Sequence, residues 1–235
     1  MPKYYPVMLD VRGRLAIVVG GDRVAAEKAA ALSASGAHVS VIHPTFCDEL
    51  LRQAEYQRVT LLRKAYEPGD LAGAFVVVAA TNDAQLVEAI WTETQKNGQL
   101  VNTVDIPERC SFIMPSILRR DQLTIAVSTE GASPSLAKRI RQNLEEIFPL
   151  AYGTYLRLAA LARTHLRKNG VSYERRDEFF SDFFTSDVLA RLVEEDVAQA
   201  TVITAELLRH YEVDVSATIL EASLEEEKQY VNSDA

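Results

Sequence analysis

Short apolar runs alternate with helical stretches over the first 113 residues. LAIVVG at 15–20 is apolar throughout, rich in β-branched residues and ended by glycine, a pattern that predicts a buried strand. The Ala-rich stretch at 24–35 predicts a helix. HVSVIH at 38–43, the segment 59–62, AFVVVAAT at 74–81 and QLVNTV at 99–104 predict four more strands. Residues 83–97 predict a helix closed by Gly98. Strands that are apolar on both faces and alternate with helices imply a parallel sheet covered on both sides. The fold class is therefore α/β, with a Rossmann-like domain over 1–113.

The pattern changes after residue 113. Residues 114–149 hold one predicted strand at 123–128, a turn GASPS, and an amphipathic helix LAKRIRQNLEEIF ended by Pro149. From residue 150 no strand signal of comparable strength follows. Helical periodicity is good at 155–168, 178–184 and 188–211, which predicts a small all-helical domain over 150–220. The tail 221–235, with its EEEK run and final NSDA, is expected to fray.

Hydrophobic residues make up 48% and charged residues 25%, the balance of an ordinary globular chain. The net charge of −8 argues against nucleic acid as a partner. The longest apolar run is strand-sized and the opening MPKYYPVMLDVRGR is too polar for a signal peptide, so the expectation is a cytoplasmic protein without a membrane span. Cys47 and Cys110 form no CxxC or zinc-type spacing and read as reduced thiols. The four histidines fit no metal-ligand pattern, and no metal site is expected.

Four segments could carry chemistry. In VVGGDRVAAEK at 18–28 a strand ends, Gly20 and Gly21 make a tight turn, and a helix begins; such a turn admits a dinucleotide pyrophosphate to a helix N-terminus, or is only a turn. The second strand should end on an acid if it reads the ribose of NAD. It ends on His43, Pro44 and Thr45, with neither an acid nor an arginine, so this spot does not choose between NAD and NADP. AATND at 79–83 puts Thr81 and Asn82 at the carboxyl end of the fourth strand as hydrogen-bonding ligand donors, or Asn82 or Asp83 there as the cap of the following helix, or both. Asp105, directly after the fifth strand, is either an acid–base group at the sheet's ligand edge or a turn residue. In VSTEGASPSLAKRIR at 127–141, Thr129, Ser133 and Ser135 surround an open helix start. Lys138, Arg139 and Arg141 follow, a set able to hold carboxylates of a polyanionic substrate or to form a solvated basic face.

Taken together, YYPVMLDVRGRLAIVVGG, AATND, NTVDIPERCSFIMPSIL and VSTEGASPSLAKRIR resemble the N-terminal half of sirohaem synthase and its stand-alone relatives, the precorrin-2 dehydrogenases. The resemblance covers about residues 4–200. It implies a Rossmann-like NAD domain, a dimerisation region over 114–149, a helical domain and a homodimer. It places the NAD site on Gly20, Gly21, Arg23, Val24, Pro44, Thr45, Thr81 and Asn82, and the family's essential acid on Asp105. Two departures stand out. The family usually has three consecutive glycines at the first turn, and the third here is Asp22. Some enterobacterial members carry a phosphorylatable serine where this chain has Thr129. The methyltransferase half of the fused enzymes has no counterpart in these residues.

The function this implies is NAD-dependent oxidation of precorrin-2 to sirohydrochlorin, with a tetrapyrrole held through Thr129, Ser133, Ser135, Lys138, Arg139 and Arg141. The alternative is a bifunctional dehydrogenase and sirohydrochlorin ferrochelatase, which shares these motifs. More distant ones are a nucleotide-sensing regulatory module, which has no need of the SFIMPS and ASPSLAKRIR segments, and a catalytically dead tetrapyrrole-binding protein, which has no need of Asp105.

Overall fold

A computed structural model describes residues 4–233; the first three residues and the last two of the expected tail, 234–235, lie outside the described residues. The chain divides into two compact units, one ending at Met114 and one beginning at Pro115.

The first unit is a five-stranded parallel sheet. Its strands are β1 (Leu15–Val19), β2 (His38–Ile42), β3 (Thr60–Leu62), β4 (Val76–Ala79) and β5 (Leu100–Thr103), in the order β3-β2-β1-β4-β5. Successive side chains of a strand point to opposite faces. Ala16, Val18, Val39, Val41, Val76 and Val78 therefore pack on one side, against Ala25, Ala26 and Ala29 of helix α1 (Arg23–Ser33). Ile17, Val19, Ile42, Val77 and Val101 pack on the other, against Leu71 and against Ile90 of helix α3 (Ala84–Asn97). Two covered faces explain why the runs are continuously apolar rather than alternating. Helix α2 (Asp48–Glu55) has no counterpart in the sequence pattern, because Leu50 is its one buried residue.

The second unit opens with an antiparallel hairpin of β6 (Ser116–Arg120) and β7 (Leu123–Val127). The sequence suggests a lone strand here. SILRR of β6 carries no strand signal in the sequence because it buries only Leu118 and ends on two charges. The pairing Arg120↔Leu123 leaves a two-residue turn, and Asp121 supplies the positive φ (55°) that tight hairpin turns require. Helix α4 (Pro134–Ile147) follows, then α5 (Ala151–Lys168), α6 (Tyr173–Thr185), α7 (Val188–Val193), α8 (Val197–His210) and α9 (Ala217–Ser233). The run 188–211 is thus two helices. Glu195 turns left-handed (φ 62°), and the Asp196 carboxylate accepts from Gln199 N–H at 2.9 Å to start α8. Residues 221–233, expected to fray, continue α9, whose Leu220 and Leu224 are buried in the helical core with Phe179, Phe183, Leu158 and Leu208.

The hairpin turn ties the unit together. Arg120 Nε donates to the Phe148 carbonyl at the end of α4 (2.7 Å). The Asp121 carboxylate pairs with the nearly buried Arg157 of α5 at 3.2 Å. Gly153 lets α5 come this close: a Cβ there would stand 3.0 Å from the Asp121 Cβ. Gly153→Val should force α5 away from the turn and destabilise the protein by about 1–3 kcal/mol. That is a fall in Tm of roughly 3–10 °C by calorimetry. An unchanged Tm would mean that α5 slides without loss and that the close approach is not required.

Candidate functional site

β1 has β2 on one side and β4 on the other, and the chain reaches them by connections of opposite direction. The carboxyl ends of β1 and β4 therefore flank the switch point where an open α/β sheet binds its ligands. Gly20 lies there with φ +154°, and a Cβ on it would run into the carbonyl oxygen of Ala80 and stand 3.0 Å from the Ala80 Cβ. A Cβ on Gly21 would run into the Thr45 carbonyl and the His43 ring. No side chain fits at either position. The turn presents bare backbone at the edge of the sheet, followed at once by the start of α1.

The first two helical N–H groups of α1, on Arg23 and Val24, have no intrahelical acceptor. Both residues are exposed. Ala25 is fully buried against the sheet, filling the close-packing role that the last position of a dinucleotide fingerprint serves. Asp22 is the departure. Its Oδ1 accepts from Ala25 N–H at 2.9 Å, so this carboxylate caps the helix and takes one donor that an incoming phosphate would otherwise use.

Across the switch point, Thr81 Oγ1 accepts from Asp83 N–H at 3.2 Å, and the Asp83 carboxylate caps α3 through Gln85 and Leu86. The capping role thus falls to Asp83, and Asn82 is left exposed with no hydrogen bond to the described residues. Pro44 and Thr45 are exposed at the end of β2, where His43 Nδ1 meets the Thr45 carbonyl and amide. Arg63, one residue beyond β3, reaches over this corner. Its Nη1 lies 3.4 Å from the Pro44 carbonyl and its guanidinium 5.3 Å from the centre of the Phe46 ring. The residues along β2 carry no sign of it, because it arrives from the neighbouring strand. Glycine cradle, free N–H groups and unpartnered amide together fit a dinucleotide.

Asp105 is exposed and left-handed (φ 62°), a conformation that Asp tolerates better than most residues. Its carboxylate has no partner among the described residues. The segment that carries it is pinned. Val104 N–H donates to the Ala79 carbonyl at 3.0 Å, extending the β4–β5 pairing by one rung. The chain then folds back along β5. Ser111 exchanges bonds with Val101, Asn102 Nδ2 donates to the Phe112 carbonyl, and Thr103 Oγ1 donates to the Arg109 carbonyl. The Cys110 thiol receives Thr103 N–H at 3.1 Å and donates to the Thr103 carbonyl at 3.2 Å; burial pushes its pKa up and keeps it a neutral thiol. These residues positioning Asp105 went unrecognised in the sequence, where the motif reads as a string without individual roles.

The remaining candidates lie in the second unit. Thr129 Oγ1 accepts from Ser133 N–H (3.0 Å), and Ser133 Oγ caps α4 through Leu136 N–H (3.3 Å) and meets Ser135 Oγ at 3.3 Å. Arg141 is paired with Glu145 one turn on. Lys138 and Arg139 are exposed with no ion pair among the described residues and share a helix face with Ser135.

The site predicts a test of Asp22. Asp22→Gly removes a negative charge beside the anion position and frees the Ala25 N–H. Dinucleotide affinity by calorimetry should rise about threefold to tenfold. Stability should fall by only a few tenths of a kcal/mol, since glycine is a tolerable N-cap. Weaker binding in this variant would show that Asp22 supports the cofactor instead of opposing it.

Residues 7–116 match a family model for putative NAD(P)-binding proteins, and residues 120–147 one for the central part of sirohaem biosynthesis proteins. The sirohaem synthase of Photorhabdus laumondii is 34% identical over 197 residues, 84% of this chain and 42% of its own length. That of Nitrosospira multiformis is 42% identical over 163 residues, 68% of this chain and 34% of its own. The chain thus spans well under half the length of these relatives. Among solved structures, SirC, a precorrin-2 dehydrogenase, superposes with a TM-score of 0.72 at 30% identity, covering 89% of this chain and 99% of that one. A likeness that runs across nearly the whole of SirC, on a sheet whose switch point is built for a dinucleotide, means that this chain belongs to the precorrin-2 dehydrogenase family.

Proposed function

We propose that the protein oxidises precorrin-2 to sirohydrochlorin with NAD as the acceptor. The observation that carries this reading is Asp105, an unpartnered, exposed carboxylate held by a pinned loop at the carboxyl edge of a dinucleotide-type sheet. The reaction removes a hydride and a proton from the tetrapyrrole. A bound nicotinamide supplies the acceptor for the hydride. The chain's residues do the rest. Gly20 and Gly21 leave room for the dinucleotide backbone, the N–H groups of Arg23 and Val24 meet its phosphates, and Thr81 and Asn82 line the switch point. Pro44 and Thr45 border the adenosine end. Asp105 takes the proton, or first orients the macrocycle through a pyrrole N–H, and its exposure lets the proton pass to solvent.

A substrate with many carboxylates needs donors. Lys138 and Arg139, without an ion pair among the described residues, can supply them; Ser135 shares a hydrogen bond with Ser133, and Thr129, Ser133 and Arg141 are engaged in caps and an ion pair. A carboxylate open to solvent also suits the loss of pyrrole protons that iron insertion requires, so ferrochelatase activity is the second reading. The working form is a cytoplasmic homodimer built on the hairpin and α4. Leu136, Ile140 and Ile147 share one face of α4 and stand exposed, as does Ile117 of β6, apolar surface that a second copy would cover.

Three measurements follow. Anaerobic turnover of precorrin-2 with NAD should be seen for the native protein and should fall roughly a hundredfold in Asp105→Asn, with dinucleotide affinity retained. Normal turnover in the variant would reduce Asp105 to a turn residue, and no turnover by the native protein would end the dehydrogenase reading. The same pair assayed with sirohydrochlorin and Fe2+ decides the second reading. In light scattering the protein should run at twice its 26.1 kDa, and Ile140→Glu should shift it toward the monomer; a monomer of native protein at micromolar concentration would rule the interface out.

A further inference from the structure

The corner where β2 ends determines what the site demands of the cofactor's adenosine ribose. A nicotinamide dinucleotide without a 2′-phosphate offers two ribose hydroxyls there, and these are held by a carboxylate about twenty residues beyond the glycine turn. No Asp or Glu occurs between Glu27 and Asp48. The end of β2 instead presents His43, whose Nδ1 is already engaged by Thr45, and the side chain of Arg63 from β3.

Arg63 is placed by the sheet itself. Ile42 pairs with Leu62, and His43 N–H donates to the Leu62 carbonyl at 3.2 Å, so the residue after β3 stands beside the residue after β2. The guanidinium rests over the Phe46 ring and against the Pro44 carbonyl, exposed and without a carboxylate partner among the described residues. Its neighbour Lys64 is by contrast consumed by Asp70 at 2.9 Å and Glu67 at 3.3 Å. A guanidinium has five donors and no acceptor. It cannot take a hydrogen bond from a ribose hydroxyl, but its planar fork matches the oxygens of a phosphate.

We infer that Arg63 reads the 2′ position of the adenosine ribose and that the site admits a 2′-phosphate, so that NADP binds at least about as tightly as NAD. The inference rests on the reading of the Gly20–Val24 turn as a dinucleotide cradle and adds the specificity of its far end. Arg63 touches neither the switch point nor Asp105, so its effect belongs in binding rather than in the chemical step.

Calorimetric titration with NAD and NADP tests this on the native protein, Arg63→Gln and Arg63→Glu. Arg63 is exposed, and NAD affinity serves as the internal control for folding and for the His43–Phe46 corner. The native protein should bind NADP with a Kd no more than about threefold that of NAD. Arg63→Gln should weaken NADP about tenfold and Arg63→Glu more, with NAD changed less than about twofold in both. Raising the salt should erode the NADP affinity of the native protein faster than its NAD affinity. A native protein that rejects NADP relative to NAD, or variants that weaken both dinucleotides alike, overturns the inference while leaving the cradle intact. Failure of both dinucleotides to bind the native protein overturns the cradle itself.

Discussion

The first unit depends on two places where no side chain fits. Gly20 is pressed against the backbone of Ala80 at the end of β4, and Gly21 against His43 and Thr45 beyond β2. β1 is the central strand, so these contacts set how closely its neighbours converge at the carboxyl edge. A Cβ at either position would push one neighbour outward and open the corner on that side. The same absence of side chains exposes the backbone that a dinucleotide needs to approach. Packing constraint and binding surface are one feature, and the buried alanines of α1 continue it by drawing the helix down onto the sheet.

The edge strand β5 presents a different physical problem. Its outer N–H and C=O groups would be left unpaired, a costly state for buried backbone and an open template for another chain. The chain meets it with its own next segment. Ser111 and Cys110 take the amides of Val101 and Thr103 with side-chain atoms, and Asn102 and Thr103 anchor the returning carbonyls. The fold-back demands a reversal immediately after the strand, and Asp105 makes it in the left-handed region. The Asp105 carboxylate, without a partner among the described residues, is thus held by a loop whose primary work is to close the sheet. The second unit uses a related economy of form: one hairpin turn, Arg120–Asp121, secures both the end of α4 and the early part of α5.

Much of this was legible in the residues. Continuous apolar runs marked the parallel strands because each is covered on both faces, and period two hides when both faces are buried. Gly98, with φ 65° at the end of α3, and Pro149, just past α4, marked helix ends for the reasons their backbones dictate. Segments that bury a single residue left no such trace, as α2 with Leu50 and β6 with Leu118 show. The break between α7 and α8 was masked because the acidic run 194–196 looks like a solvated helix face, whereas Asp196 spends its carboxylate on a new N-terminus.

The sequence by itself determined the α/β class, the glycine turn, the position of Asp105 after a strand and the family resemblance, because each rests on residues adjacent in the chain. Only the tertiary structure decided which neighbours those residues meet. It showed Asp22 spent as a helix cap, Cys110 as a clasp on β5, Asp83 rather than Asn82 as the cap of α3, and Arg63 carried to the end of β2. The physical reason is the register of a parallel sheet. Strands joined through helices lie side by side at distances that sequence separation does not encode, so Arg63 brings a charge from the neighbouring strand to a corner that local pattern leaves blank.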